Sequence, residues 1–106
     1  MSEGRPGDRP DWHGRRQGRP LRPTRQRLMA ELLPRLRIAL PGPGQCIDIP
    51  SLFSEDPAQV WLEIGFGAGE HLAEQARRHP EFGFIGSEVF VNGVAALVSQ
   101  ADQLGL

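Results

Sequence analysis

The sequence predicts an α/β fold built on a parallel sheet, and the order of patterns along residues 59–105 carries that prediction. Two short apolar runs, QVWLEIG at 59–65 and FGFIGSEVF at 82–90, are each followed by a segment whose apolar residues recur at helical spacing. A strand–helix–strand–helix order implies a right-handed crossover and parallel strands. The first run is apolar almost throughout, so we expect a short buried strand there.

The two predicted helices have distinct ends. Residues 69–79, GEHLAEQARRH, place cationic side chains in the last turn, where they interact favourably with the helix dipole, and Pro80 ends the helix. Residues 92–105, NGVAALVSQADQLG, end at Gly105, a residue type that commonly terminates helices. The predicted core face of this second helix consists of Val94, Leu97, Val98, Ala101 and Leu104.

The beginning of the chain divides into two segments of different composition. Residues 1–22 are rich in Gly, Pro and Arg and lack apolar periodicity, which predicts a basic, disordered tail. The segment PTRQRLMAELLPRL at 23–36 predicts a short amphipathic helix, with Thr24 as N-cap and a kink or end at Pro34. The tail (1–22) is therefore expected to precede a structured part (23–106).

The predicted sheet has too few strands to form a complete layer. Two parallel strands leave faces uncovered and edges unprotected, and the sequence stops where a third strand is expected. The interpretation is an incomplete α/β domain, expected to be poorly folded and without activity as residues 1–106 alone.

Charge is segregated along the chain, although the formal net charge is only −1. Residues 1–37 hold ten arginines and four acidic residues, a net +6, whereas residues 38–106 hold two arginines and nine acidic residues, a net −7. A basic end of this kind indicates contact with nucleic acid. The candidate phosphate contacts are Arg15, Arg16, Arg19 and Arg22, and a merely solvated tail is the alternative.

Several function classes are disfavoured by composition. Cys46 is the single cysteine, which excludes an intramolecular disulfide and a multi-cysteine metal site. The three histidines lack metal-ligand spacing. No apolar run approaches the roughly 20 residues of a transmembrane helix, and the N-terminus lacks the apolar core of a secretory signal. We therefore expect a cytoplasmic protein with no membrane partner and no metal.

The segment WLEIGFGAGE at 61–70 joins the first predicted strand to its helix and contains Gly65, Gly67 and Gly69. Glycine-rich loops at this position let the main chain approach a ligand, and dinucleotides and S-adenosylmethionine are both bound in this way. A dinucleotide fingerprint has Gly or Ala where this loop has Glu70, whose carboxylate would repel a pyrophosphate at the helix N-terminus. The cationic S-adenosylmethionine is therefore favoured.

An acidic residue stands at the end of each predicted strand. Glu63 ends the first strand, and Glu88 closes the second, 19 residues after the last glycine of the loop. A strand–helix–strand unit places a carboxylate there to accept hydrogen bonds from ribose hydroxyls. The predicted cofactor-binding residues are therefore Glu63, Gly65, Gly67, Gly69 and Glu88. A simple tight turn with a solvated strand end is the alternative.

Residues 60–95, VWLEIGFGAGEHLAEQARRHPEFGFIGSEVFVNGVA, resemble the bacterial tRNA (guanine-N7-)-methyltransferases. The family patterns LEIGFGxGE, PxxxFIGxE and a following GV match residues 62–70, 80–88 and 93–94. The head GRRQGRPLRPTRQ is similar to the basic N-terminal segment of the family. The resemblance implies an incomplete Rossmann-like methyltransferase fold, S-adenosylmethionine bound by Glu63 and Glu88, and methylation of guanine N7 in the tRNA variable region.

The resemblance also implies that the residues contacting substrate lie on later strands and loops, so no catalytic residue is assigned. Guanine N7 already carries a lone pair in the neutral base, so methyl transfer depends chiefly on positioning. Three alternatives stay open: another S-adenosylmethionine-dependent methyltransferase, a dinucleotide-binding oxidoreductase disfavoured by Glu70, and a non-enzymatic RNA-binding module. The oligomeric state is not predicted.

Overall fold

The computed structural model describes residues 16–106, and its elements follow the predicted order. In chain order they are α1 (Pro23–Glu31), α2 (Leu33–Leu36), a 3-10 helix (Ile49–Leu52), β1 (Val60–Ile64), α3 (Glu70–Arg78), β2 (Gly83–Ser87) and α4 (Val91–Leu104). The 3-10 helix was not predicted.

Within residues 16–106, β1 and β2 form a two-stranded parallel sheet, which confirms the α/β prediction. Val60 lies opposite Gly83, and Ile64 lies opposite Ser87. The helix α3 makes the crossover between the strands and packs on β2. The carboxyl ends of both strands therefore meet at one edge of the sheet, where the glycine loop and the turn into α4 begin.

The predicted helix over 23–36 is divided into α1 and α2 at Leu32. Pro34 explains the division, because a proline lacks the main-chain N–H and its ring clashes with the carbonyl four residues earlier. The predicted N-cap, Thr24, is wrong. Arg22 is the N-cap, no side chain caps the helix, and Pro23 occupies the first helical position, where its missing N–H costs nothing.

The second strand ends at Ser87, before the predicted limit of residue 90. The main-chain N–H groups of Val89 and Phe90 donate to the Glu88 carboxylate, so they do not continue the strand ladder. Glu88 accordingly lies in the turn that leads into α4, directly after the strand. Gly105 is the C-cap of α4 with φ of 69°, as predicted.

Among residues 16–106, the buried apolar side chains lie between the helices and one side of the sheet; they are Leu28, Leu72, Ala73, Ala95, Val98 and Ala101. The helix α4 packs against both α1 and α3. Leu104, predicted to be in the core, is 45% exposed. No helix in this part of the chain is both long and apolar enough to cross a membrane.

The prediction that β1 is buried is wrong. Trp61, Leu62 and Ile64 are 56%, 61% and 78% exposed. Within the described residues, β1 packs mainly against β2, and the helices cover little of it. The apolar sequence of this strand therefore faces solvent, and the open apolar face expected of so small a sheet is present.

We expect the 106-residue chain to unfold in a broad transition at low temperature. Among residues 16–106, half of the buried apolar residues are alanines. Full burial of a leucine or valine stabilises by about 1.5–3 kcal/mol, whereas ordering one residue of backbone costs about 1–2 kcal/mol. Circular dichroism during heating measures the transition. Val98→Ala should remove it, and Leu40→Ala, at a side chain that is 79% exposed, should leave it unchanged. A sharp transition above about 60 °C would contradict this expectation, because ordinary domains melt in the range of about 45–65 °C.

Candidate cofactor-binding site

The glycine loop, residues 65–69, carries the chain from β1 into α3. Gly65, Gly67 and Gly69 have φ values of 71°, 66° and 84°, in the left-handed region that residues with a Cβ rarely adopt. A Cβ added at Gly65 or Gly67 would meet no atom within 4 Å. These two residues therefore expose bare main chain to open space, where a ligand can approach it.

Gly69 has a different environment from the other two glycines. It is buried as the N-cap of α3, and a Cβ there would lie 2.7 Å from Leu97 Cδ1 on α4. In this structure it allows the loop to pack against α4. Its assignment to cofactor binding stays a prediction.

The Glu88 carboxylate connects the glycine loop to the start of α4. Its Oε1 accepts a hydrogen bond from the N–H of Gly67 at 2.8 Å. Its Oε2 accepts from the N–H groups of Phe90 at 2.9 Å and Val89 at 3.1 Å. These donors, Phe90 first and Gly67 second, hold the pKa of the Glu88 carboxyl below its ordinary value of 4.5. Glu88 is therefore ionised at neutral pH and fixes the loop.

Gly93, in the first turn of α4, lies directly against the loop. A Cβ at this position would lie 2.1 Å from the carbonyl oxygen of Gly67 and 3.4 Å from Glu88 Cγ. The absence of a side chain thus lets α4 approach the loop. We did not identify Gly93 as a site residue from the sequence. The signals there were the match of residues 93–94 to the family pattern GV and a glycine inside a predicted helix, where it is disfavoured by about 1 kcal/mol relative to alanine.

A second contact from α4 holds the loop further along. The side-chain Nε2 of Gln100 donates a hydrogen bond to the carbonyl oxygen of Ala68 at 2.8 Å. Together with Glu88 and Gly93, this contact fixes the backbone of the loop from one side and leaves the side of Gly65 and Gly67 open. Gln100 was also missed, since an amide on a helix gives no sequence signal of its target.

Glu63 lies at the same edge of the sheet but is associated with α3. Its half-buried carboxylate Oε1 is 3.3 Å from Nδ1 of His71. It lines an open groove of about 270 Å³ together with side chains of β1, α3 and β2: Trp61, Leu62, His71, Leu72, Gln75 and Phe84. Among the described residues, no hydrogen bond joins Glu63 to Glu88. The structure therefore brings the two acids to neighbouring strand ends without direct contact.

A strongly lowered carboxyl pKa also occurs away from the loop, on the exposed face of α3. Hydrogen bonds from Arg77, at 2.8 Å, and Arg78, at 2.7 Å, lower the pKa of Glu74 to about 2. This is a helix-surface ion-pair network of the (i, i+3) and (i, i+4) kind. It stabilises α3 and is no candidate for ligand binding.

The segment that carries the arginines proposed for RNA meets the first turn of α4. Arg15 lies outside the described residues, and Arg16, Arg19 and Arg22 are all exposed. The N–H of Val91 donates to the carbonyl oxygen of Arg16 at 2.5 Å. The backbone of this end of the tail therefore has a defined position against α4, while the guanidinium groups face solvent.

The described residues contain no group of three or more His, Cys, Asp and Glu side chains close enough to hold a metal ion. Cys46 is exposed.

Comparison with known sequences agrees with this architecture. Residues 57–106, which comprise β1, α3, β2 and α4, match a family described as "Putative methyltransferase". The sequence match and the parallel strand–helix–strand unit with its glycine loop indicate the same class: residues 57–106 are similar in sequence to this methyltransferase family, and they form a Rossmann-like α/β unit.

Similarity to particular proteins extends over most of the chain. It is 53% identical over 97 residues to a tRNA (guanine-N(7)-)-methyltransferase of Rhodospirillum rubrum, covering 90% of this chain and 38% of the relative. A protein of the same name from Paramagnetospirillum magneticum is 49% identical over 100 residues, covering 92% and 42%. One from Brucella abortus is 46% identical over 93 residues, covering 88% and 40%.

The chain is thus related in sequence to the tRNA (guanine-N(7)-)-methyltransferases, and the resemblance noted from its motifs is confirmed. It spans about two fifths of the length of these curated relatives.

Proposed function

We propose that this chain supplies the cofactor-binding part of an S-adenosylmethionine-dependent enzyme that methylates guanine N7 in tRNA. The observation that carries the proposal is the exposed glycine loop, held by the ionised Glu88, in a sequence about half identical to tRNA (guanine-N(7)-)-methyltransferases. On this proposal residues 23–106 are the N-terminal part of the methyltransferase domain and residues 1–22 are a basic tail. A tRNA substrate implies action in the cytoplasm.

The residues at the loop fit S-adenosylmethionine by shape and charge. Gly65 and Gly67 give the ligand access to main-chain atoms, since a Cβ would occupy that space. A carboxylate has about four lone-pair sites, and Glu88 uses three of them on N–H groups. The remaining acceptor capacity suits one ribose hydroxyl, and Glu63, whose carboxylate lies beside His71, offers a second acidic acceptor.

Methyl transfer to guanine N7 requires these residues chiefly to bind and orient the cofactor. When bound, S-adenosylmethionine supplies a methyl group on a cationic sulfonium. Guanine N7 already has a lone pair, so no proton must be removed before attack. The rate enhancement then comes from holding the reacting atoms in line. Acidic side chains near the loop are compatible with the cationic cofactor.

The dinucleotide alternative is opposed by Glu70. It lies in the first turn of α3, exposed, beside the N-terminus that a pyrophosphate would approach. Repulsion between the Glu70 carboxylate and the pyrophosphate would offset the attraction of the helix N-terminus for phosphate.

Two measurements test the proposal. Calorimetric titration of the chain, joined to the remaining length of the Rhodospirillum rubrum relative, with S-adenosylmethionine should give binding, and titration with NADH as a control should not. The chain joined to the remaining length of the Rhodospirillum rubrum relative should methylate unmodified tRNA at guanine N7. Binding of NADH in place of S-adenosylmethionine would contradict the proposal, and so would methylation at an atom other than guanine N7. RNA binding without cofactor binding would favour the non-enzymatic alternative.

The RNA part of the proposal predicts a change in salt dependence. Replacing Arg16, Arg19 and Arg22 with glutamine in the joined protein should weaken tRNA binding. The log–log salt slope should fall by roughly 0.7–0.9 for each phosphate that is no longer neutralised. Affinity for S-adenosylmethionine should not change. The matched control, glutamine at Arg77 and Arg78 on α3, should leave the slope alone. An unaltered slope in the first variant would show that these arginines stay solvated in the complex.

A further inference from the structure

We propose that Asn92 is a positioning residue for RNA. Its side-chain amide fastens the basic segment, residues 16–22, to the start of α4, and so sets the arginines at a fixed place relative to the glycine loop. This inference rests on the proposed function in one respect, namely that the basic segment contacts tRNA.

The amide of Asn92 uses both of its ends on the basic segment. Its Oδ1 accepts a hydrogen bond from the N–H of Gly18 at 2.6 Å. Its Nδ2 donates to the carbonyl oxygen of Arg19 at 2.7 Å. A donor and an acceptor on one planar group match the polarity of these two main-chain groups, which neither a carboxylate nor an apolar side chain of similar size can do.

Two further contacts make this attachment specific. The N–H of Val91 donates to the carbonyl oxygen of Arg16, so the main chain is held at three positions within four residues. A Cβ at Gly18 would lie 3.0 Å from Cζ of Phe90, so the segment approaches the ring closely because this residue has no side chain. These contacts bind main-chain atoms only, and they leave the exposed guanidinium groups of Arg16 and Arg19 available to phosphates.

The Asn92 attachment and the contacts that hold the glycine loop come from one short segment of the chain, residues 88–93. Residues 88–93 contact the glycine loop through Glu88 and Gly93 and contact the basic segment through Val91 and Asn92. The position of the basic segment's main chain relative to the glycine loop is thereby fixed by these six residues. The basic segment, residues 16–22, holds three arginines and no acidic residue, and residues 16–37 together hold seven arginines and one acid, Glu31. An RNA backbone is the partner that such a surface fits.

Trypsin digestion of the 106-residue chain tests the attachment directly. Arg19 and Arg22 are each followed by proline and resist cleavage, so the Arg16–Gln17 bond reports on the segment and the Arg37–Ile38 bond reports on the rest. In Asn92→Ala, cleavage after Arg16 should become about five- to tenfold faster, as expected for the removal of two hydrogen bonds, with no change after Arg37. Gln103→Ala, a matched amide truncation at an exposed position of α4, should change neither rate.

A second variant approaches the contact from the other partner. Gly18→Val places a side chain against Phe90 and should displace the segment without altering any residue of α4. If Asn92→Ala raises cleavage equally after Arg16 and after Arg37, the protein has unfolded generally. The rate of cleavage after Arg16 in Gly18→Val then tests the attachment. Unchanged cleavage after Arg16 in that variant would overturn the inference.

RNA affinity separates positioning from direct contact. With an unmodified tRNA transcript as probe, Asn92→Ala should bind about five- to tenfold more weakly, but with the wild-type log–log salt slope, because all phosphate contacts can still form once the segment is ordered. Binding of S-adenosylmethionine should be unchanged. A reduced slope, or unchanged RNA affinity, would overturn the inference. If the wild-type chain does not bind the transcript, the proposed RNA contact fails and this inference with it, whereas normal RNA binding with unchanged proteolysis refutes only the role of Asn92.

Discussion

Replacing Gly93 with alanine is expected to weaken binding of S-adenosylmethionine and to lower the stability of the chain. A methyl group at this position would lie 2.1 Å from the carbonyl oxygen of Gly67, which is backbone and cannot swing aside. Helix propensity acts the other way, since alanine is favoured over glycine by about 1 kcal/mol inside a helix. Overpacking of a close contact costs about 1–3 kcal/mol, so the clash should dominate.

The displacement caused by this clash should reach the cofactor site. Separating α4 from the loop stretches the hydrogen bond from the Gly67 N–H to Glu88, which is 2.8 Å long. Calorimetry with S-adenosylmethionine and urea unfolding measure the two effects. Gly42→Ala is the matched control, because a Cβ there meets only a flexible glutamine side chain at 3.6 Å. Wild-type affinity in Gly93→Ala would show that the close approach of α4 to the loop is unnecessary for binding.

Replacing Glu88 with alanine is expected to weaken S-adenosylmethionine binding by about tenfold or more. Hydrogen bonds to a charged group are worth roughly 1.5–3 kcal/mol each, and the partial exposure of Glu88 favours the lower end of that range. The variant loses the proposed ribose acceptor and also leaves the N–H groups of Gly67 and Phe90 without their carboxylate partner.

Glutamine at position 88 separates the two roles of this carboxylate. A single amide oxygen can accept from Gly67 or from the start of α4, but not from both groups at the wild-type positions. We expect an intermediate affinity for Glu88→Gln and a smaller loss of stability than in Glu88→Ala. If alanine and wild type bind S-adenosylmethionine equally, Glu88 serves only to hold the loop.

The lowered pKa of Glu88 also determines the direction in which pH changes the stability of the fold. Its folded-state pKa is depressed below 4.5 by the N–H donors, so its contribution to stability is present above the unfolded-state pKa. That contribution is lost as the pH falls through the lowered folded-state pKa. Glu88→Gln should remove this part of the acid sensitivity, which urea unfolding at a series of acidic pH values measures.

Local patterns were sufficient to predict the order of elements and their pairing. The strands, the crossover helix and the C-cap at Gly105 follow from apolar periodicity and from residues that end helices. The burial of β1 was not predictable in this way. An apolar run indicates that a strand can be buried, but Trp61 and Ile64 remain exposed because burial depends on which other elements cover them.

The candidate site was only partly predictable for a similar reason. The open glycines, Gly65 and Gly67, and the acid at Glu88 are close in sequence to the strand ends and carry a recognisable pattern. Gly93, Asn92 and Gln100 act through contacts with residues 26 to 74 positions away. Such residues are recognisable only after α4 has been placed beside the loop and the basic segment.

The long sequence separation within the Asn92 attachment has a consequence for the order of events during biosynthesis. Gly18 and Asn92 are 74 residues apart, so the basic segment leaves the ribosome well before its partner has been translated. At about 5–20 residues per second, the interval is roughly 4–15 s. Throughout that time the segment is a cationic stretch of chain that lacks its contact with Asn92, and it lies beside a ribosome made largely of RNA. A contact that can form only late in synthesis is therefore the one that fixes where these exposed arginines can act.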